Sequence, residues 1–240
     1  MSAIEHGSTG AGGRLHPSAA TLRVLGALLG YPDARLRGYL PEMMALLAGD
    51  GALSDARRGE IEALAHWIAR ADAIEVETGY VEIFDRGRAT SLHLFEHVHG
   101  DSRDRGPAMI DLAQTYERAG LYLEPGELPD YLPVVLEFVS TQPPREAKAF
   151  LGEIAHLVNA IFGALIQRGS PYASVMGALL DLAGEPARAV EPAPEPSLDE
   201  SWVEPPVFDG CSTQGQAKPG DPQPIRIVRK AGPPAQGASS

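Results

Sequence analysis

PREAKAFLGEIAHLVNAIFGALIQ, residues Pro144 to Gln167, decides the fold. Along it Ala147, Phe150, Leu151, Ile154, Leu157, Val158, Ile161 and Leu165 recur every three or four positions, the spacing of one face of an α-helix. Gly169 and Pro171 then stop it. Beyond them, Tyr172 to Leu182 supplies one more helical run. Before it, Leu132 to Val139 is apolar nearly all round and should be buried. Its β-branched residues would also suit a strand, but no second strand-like run exists to pair with it, so it reads as a central helix.

The same spacing continues towards the N-terminus. Pro107 opens a helix with Met109, Leu112, Ala113 and Tyr116 on one face, closed by Gly120. Ala89 to Val98 and Ala73 to Phe84 read as shorter helices joined by polar turns. Ser54 or Asp55 caps a helix carrying Ile61, Leu64, Ala65 and Ile68. Pro41 suits the first turn of a helix bearing Met43, Met44, Leu46 and Leu47 that ends near Gly49. Ser18 caps one with Leu22, Leu25, Leu28 and Leu29, stopped by Gly30 and Pro32. The fold class is therefore all-α: a single helical domain of eight or nine helices over residues 17–183. No repeat of fixed period runs through it, which disfavours a solenoid.

Proline use marks the domain's end. Of the 21 prolines in 240 residues, 11 lie from Gly184 onward, so residues 184–240 read as a disordered Pro/Gly-rich tail that buries too little apolar surface to order itself. Two islands interrupt it, Trp202-Val203 with Val207-Phe208, and Ile225 to Lys230. Residues 1–16 read as a disordered Gly-rich segment without the basic and apolar runs of a secretory signal. No stretch approaches the roughly 20 apolar residues of a membrane span, and the expected location is cytoplasmic. Cys211, the single cysteine, excludes an internal disulfide framework or a cysteine-based metal centre. Acidic residues outnumber basic ones by 32 to 20, a net charge of −12 that argues against nucleic acid and suits a cationic partner.

Few patterns promise catalysis. His93-Leu94-Phe95-Glu96-His97 matches the H-x-x-E-H of inverted zinc peptidases, in which two histidines four apart on a helix hold Zn²⁺ and the glutamate is the base. A zinc-dependent hydrolase is thus the alternative function, although no acidic residue lies between Glu153 and Asp181 to serve as a distant third ligand. Phosphate-binding loops and a serine elbow are missing. What remains is a dense polar cluster around two turns. Asp85, Arg86 and Arg88 form the first, and His97, His99, Arg103 and Arg105 belong to the second, with Tyr80, Phe84, Tyr116 and Tyr122 supplying aromatic surface nearby. Mixed charges in short loops fit local pairing and solvation, and with the aromatic surface they equally suit recognition of a peptide helix.

Three segments carry a resemblance. Tyr80-Val-Glu-Ile-Phe-Asp-Arg-Gly-Arg88, Leu94-Phe-Glu-His-Val-His-Gly-Asp-Ser-Arg-Asp-Arg-Gly106 and Glu127-Leu-Pro-Asp130 closely resemble the NarJ-type assembly chaperones of respiratory nitrate reductase. The likeness is strong from Tyr80 to Phe138 and looser from Thr21 to Leu182. It implies a TorD-like, all-helical, non-enzymatic chaperone with no cofactor of its own. It also implies a partner, the N-terminal peptide of the reductase's catalytic subunit, held in the cytoplasm while molybdenum cofactor is inserted, with indirect contact to cofactor-delivery proteins and no insertion into the membrane. The family hallmark E-x-P-D-H is matched by Glu127, Pro129 and Asp130, but Tyr131 stands where the histidine is expected. Tyrosine keeps a ring and a polar tip and loses a group that titrates near neutral pH. With those four, the expected peptide-binding set comprises Tyr80, Phe84, Asp85, Arg86, Arg88, His97, His99, Arg103, Arg105 and Tyr116. Asp130 has two open readings, a cap for the central helix or a contact to the peptide.

Overall fold

Side chains start the first four helices. Ser18 accepts from the Thr21 N–H at 3.0 Å and opens α1 (Ala19–Leu28). Asp33, Ser54 and Asp72 do the same for α2 (Ala34–Asp50), α3 (Asp55–Arg70) and α4 (Ala73–Tyr80), each satisfying amides that the helix itself leaves unpaired. The chain continues through α5 (Leu94–His99), α6 (Arg105–Arg118), α7 (Leu132–Ser140), α8 (Pro144–Gln167) and α9 (Ala173–Ala183). This computed structural model describes residues 17–100 and 102–188. The readings of the N-terminal segment, of Cys211 and of the tail with its two islands lie outside the described residues. Among those described there are nine α-helices and no strand longer than a single bridge, an all-α architecture.

α8 is the long spine and packs along α9, while α1 packs between α2 and α7 and α3 joins α2 to α9. Leu22, Leu25 and Leu28 of α1, Ile61, Leu64 and Ile68 of α3, and Leu132 and Leu136 of α7 are buried to within 1% of their surface. Burial of this kind stabilises by about 1.5–3 kcal/mol per side chain. Arg23 Nε donates to Ser140 Oγ at 3.1 Å and ties α1 to the end of α7. Arg57 Nε donates to Asp181 Oδ2 at 2.8 Å and ties α3 to α9; its guanidinium lies so close over Gly177 that a side chain there would collide with it.

Some boundaries differ from those expected. Pro41 sits inside α2 instead of opening it, because Asp33 caps the helix earlier and Leu36, Leu40 and Leu47 form a buried stripe that runs through the proline. α6 begins at Arg105, two residues before Pro107. Ala89 to Val98 is not one helix: a 3₁₀ turn at Arg88–Thr90 and extended backbone at His93 precede the short α5. α8 is long and apolar enough to cross a membrane by length and composition, contrary to the expectation that no segment approaches this. Its row Ala147, Leu151, Ala155, Val158, Ile161 and Leu165 is buried, as in the core helix of a folded domain.

An aromatic cluster joins the core to the surface. Tyr172 meets Trp67, Tyr80 and Phe84 with ring centroids 6.3, 6.0 and 5.1 Å away, mostly edge to face, as ring quadrupoles prefer. Tyr172 is fully buried, and its hydroxyl has no hydrogen-bond partner among the described residues. Removing an unsatisfied hydroxyl should cost nothing. Tyr172→Phe is expected to leave stability unchanged or raise it by up to about 1 kcal/mol in urea unfolding, and a loss of that size would reveal a partner for the hydroxyl.

Candidate functional site

After α4 the helix widens into a π-turn at Val81–Asp85, which the Arg86 N–H closes on the Val81 carbonyl at 3.1 Å. Such widened turns recur at functional sites because they re-aim side chains. Here Tyr80 and Phe84 turn inward, with ring centroids 4.8 Å apart, while Asp85 stays exposed. The Thr90 hydroxyl bonds the Ile83 carbonyl and folds the following 3₁₀ turn back against the π-turn.

A second wall comes from backbone pairing. Leu94 N–H donates to the Asp130 carbonyl at 3.0 Å and Leu132 N–H to the Leu92 carbonyl at 2.8 Å, a one-rung antiparallel bridge between His93 and Tyr131. The pairing holds His93 in extended backbone just before α5. It also fixes Asp130, which has no exposed surface. Asp130 Oδ2 accepts from the Phe95 N–H at 3.2 Å and lies 3.7 Å from Arg105 Nη2, and Asp130 Oδ1 accepts from His93 Nδ1 at 3.4 Å. Asp130 therefore caps α5 from a distant segment. α7 starts at Leu132 without a side-chain cap, so of the two readings of Asp130 the cap on the central helix is not made.

Between these walls lies a groove of about 480 Å³. Phe84, Leu92, Leu128 and the rings of Tyr31, Tyr80 and Tyr131 line it, with Asp85, Glu127 and His93 as its ionisable groups and Gly126 at its edge. Tyr80 donates to the Leu29 carbonyl at 2.7 Å and its oxygen lies 3.2 Å from that of Tyr131. Burial pushes both phenols above their ordinary pKa, so they remain neutral hydrogen-bonding groups. The His93 ring lies 5.2 Å from that of Tyr131, and its hydrogen bond to Asp130 raises its pKa against the opposing effect of burial.

Of the residues expected from the sequence, Tyr80, Phe84, Asp85, Glu127 and Tyr131 come together in this groove. Tyr116, Pro129 and Asp130 stand behind it as buried supports, the Tyr116 hydroxyl donating to the Pro129 carbonyl at 2.8 Å. Arg86 lines a neighbouring depression. Arg88, His97, His99, Arg103 and Arg105 do not line the groove: His97 Nε2 bonds the Ser91 carbonyl at 2.9 Å, the His99 ring packs on Phe95, and Arg105 reaches Glu96 and Asp130. Tyr31, Leu92, His93, Gly126 and Leu128 also line the groove and lie outside the expected set. Tyr31 carried one signal, an aromatic residue between the helix-stopping Gly30 and Pro32.

The zinc alternative loses its geometric premise. His93 lies outside α5 and turns to Asp130, while His97 bonds backbone, so the two rings do not share a helix face. Among the described residues no three His, Cys, Asp or Glu side chains form a group able to hold a metal ion.

Residues 50–176 match the family described as nitrate reductase delta subunit. The chain belongs to that family. Among the family's relatives, NarJ of Escherichia coli (strain K12), named a nitrate reductase molybdenum cofactor assembly chaperone, is 43% identical over 162 residues, covering 68% of this chain and 69% of NarJ. NarW of the same organism, named a probable chaperone of the same kind, is 42% identical over 163 residues, 68% of each chain. The fold is that of a redox enzyme maturation protein from Archaeoglobus fulgidus, with a TM-score of 0.52 at 18% identity, covering 76% of this chain and 98% of that one. Delta-subunit family membership agrees with the NarJ-type resemblance read from the sequence: a chaperone, not an enzyme.

Proposed function

We propose that the groove holds the N-terminal peptide of the nitrate reductase catalytic subunit in the cytoplasm while molybdenum cofactor is inserted, before the reductase reaches the membrane. One observation carries this reading: aromatic and aliphatic side chains form the floor, and the carboxylates of Asp85 and Glu127 stand on its rim. A basic amphipathic helix would lay its apolar face on Tyr31, Phe84, Leu92 and Leu128 and turn its cations towards the rim. The chain's charge of −12 would draw such a peptide in, since complementary fields raise association rates and reject acidic competitors. The action is occupancy. A bound leader keeps the apoenzyme from moving on, and cofactor-delivery proteins meet this chain only through the client.

Calorimetric titration with the synthetic N-terminal peptide of the cognate catalytic subunit tests the reading. Binding tighter than about 100 μM that weakens as salt is added is expected, and no heat at that concentration overturns it. Leu128, 43% exposed, can be changed without opening the core. Leu128→Asp is expected to weaken binding about tenfold by setting a charge against the peptide's apolar face.

A further inference from the structure

Tyr31 divides two depressions. Across its ring from the groove lies a smaller one of about 210 Å³, walled by Ile74, Glu77, Thr78, Val81, Glu82 and Arg86. α4 and its π-turn form the wall common to both. Their inner face gives Tyr80 and Phe84 to the groove, and their outer face gives Ile74, Glu77, Thr78 and Val81, spaced by three and four, to the smaller depression. Ile74 is 75% exposed, an aliphatic residue presented to solvent with no core to join. Tyr31 itself is held upright as a divider: its ring stands edge-on to Tyr80 at 5.6 Å and its hydroxyl donates to Glu77 Oε2 at 2.9 Å.

We propose that the depression across Tyr31 is a second subsite of the same peptide surface, one that takes a single lysine or arginine of the bound segment. The methylene stem of that residue lies on Ile74 and Val81, and its charge lies between Glu77 and Glu82. Long cationic side chains combine these two needs, an apolar stem and a wet charged head. The polarity follows from the lining. An entering cation meets two carboxylates against the one guanidinium of Arg86, whereas an anion meets the reverse. A helix seated in the groove and crossing Tyr31 therefore has its register fixed by where its cation falls. This inference rests on the peptide reading of the groove and adds to its charge selection an element that fixes register.

The test is a set of titrations of the full chain with the same client peptide and with versions in which each Lys or Arg is replaced by norleucine. Glu82→Gln and Glu77→Gln are each expected to weaken the parent peptide about threefold to fivefold, the size of an exposed ion pair. Arg86→Gln is expected to strengthen it. For one peptide position alone, the norleucine version should bind wild type and the Glu77→Gln, Glu82→Gln double variant equally. Equal losses from the double variant for every peptide, or weakening by Arg86→Gln, would overturn the subsite. If Leu128→Asp weakens binding while the glutamate variants do not, the subsite falls and the groove stands. If wild type binds no peptide, both fall.

Discussion

Replacing Asp130 by alanine is expected to cost about 3 kcal/mol of stability, near the lower end of what breaking a buried ion pair does. The carboxylate has no exposed surface, and three partners depend on it: the Phe95 N–H, His93 Nδ1 and Arg105. The substitution leaves the first turn of α5 without its acceptor, a loss of about 1 kcal/mol on its own. Arg105 is still able to pair with Glu96, 3.5 Å away, which limits the damage. Part of the effect depends on pH. The bond to Asp130 raises the His93 pKa in the folded chain, so its contribution is fully present below the unfolded value of 6.5 and fades as pH rises through the higher folded value. The gap between wild type and variant in urea unfolding should therefore be wider at pH 6 than at pH 8. Where the variant is folded, its affinity for the client peptide should stay within about threefold of wild type, because Asp130 faces away from the groove lining. Intact stability with lost binding would make Asp130 a peptide contact instead.

The same residue shows where reading the sequence stops. Glu127, Pro129 and Asp130 stand together in the chain and look like one functional unit, yet the fold assigns them separate tasks. Glu127 is on the rim, the Pro129 carbonyl receives Tyr116, and Asp130 caps a helix that begins 36 residues earlier in the chain. The cause is the bridge at His93 and Tyr131. Neighbouring residues of extended backbone point to opposite sides, so Tyr131 enters the groove while Asp130 turns inward. A single rung of pairing leaves no alternating pattern to find, whereas α8 displays its period over 24 residues and its ends are legible from Pro144, Gly169 and Pro171. Periodicity also located α1 and α3, because each buries one continuous stripe, whereas α9 is buried nearly all round and presents no such stripe. The start of α2 lies earlier than Pro41 implies, because a buried stripe passes through the proline. Tyr31 and Leu128 escaped for a different reason: both are substantially exposed residues in turns, and only the folding of distant segments makes them neighbours of Phe84.

Gly87→Ala is expected to cost about 2–3 kcal/mol and to weaken peptide binding about tenfold, through space and not through backbone freedom. The backbone at Gly87 has φ −98°, a conformation open to any residue. A Cβ there would lie 2.7 Å from the Ile83 carbonyl oxygen and 2.9 Å from Arg168 Nη1, and would press on the Thr90 hydroxyl. Arg168 Nη1 is the end of a flexible side chain, bonded among the described residues only at 3.4 Å to the Glu82 carbonyl, and can swing away. The Ile83 carbonyl belongs to the π-turn and cannot, and Thr90 is fully buried. Relief must then come from parting the π-turn from the 3₁₀ turn, which breaks the Thr90 bond to Ile83 and shifts the backbone that aims Phe84 and Asp85 into the groove. Arg168→Ala added to Gly87→Ala should restore little, since it removes the yielding neighbour and leaves the rigid one. Urea unfolding together with the peptide titration measures both effects. If Gly87→Ala keeps wild-type stability, or if Arg168→Ala rescues it fully, the two turns are not packed as tightly as argued and the groove does not depend on their contact.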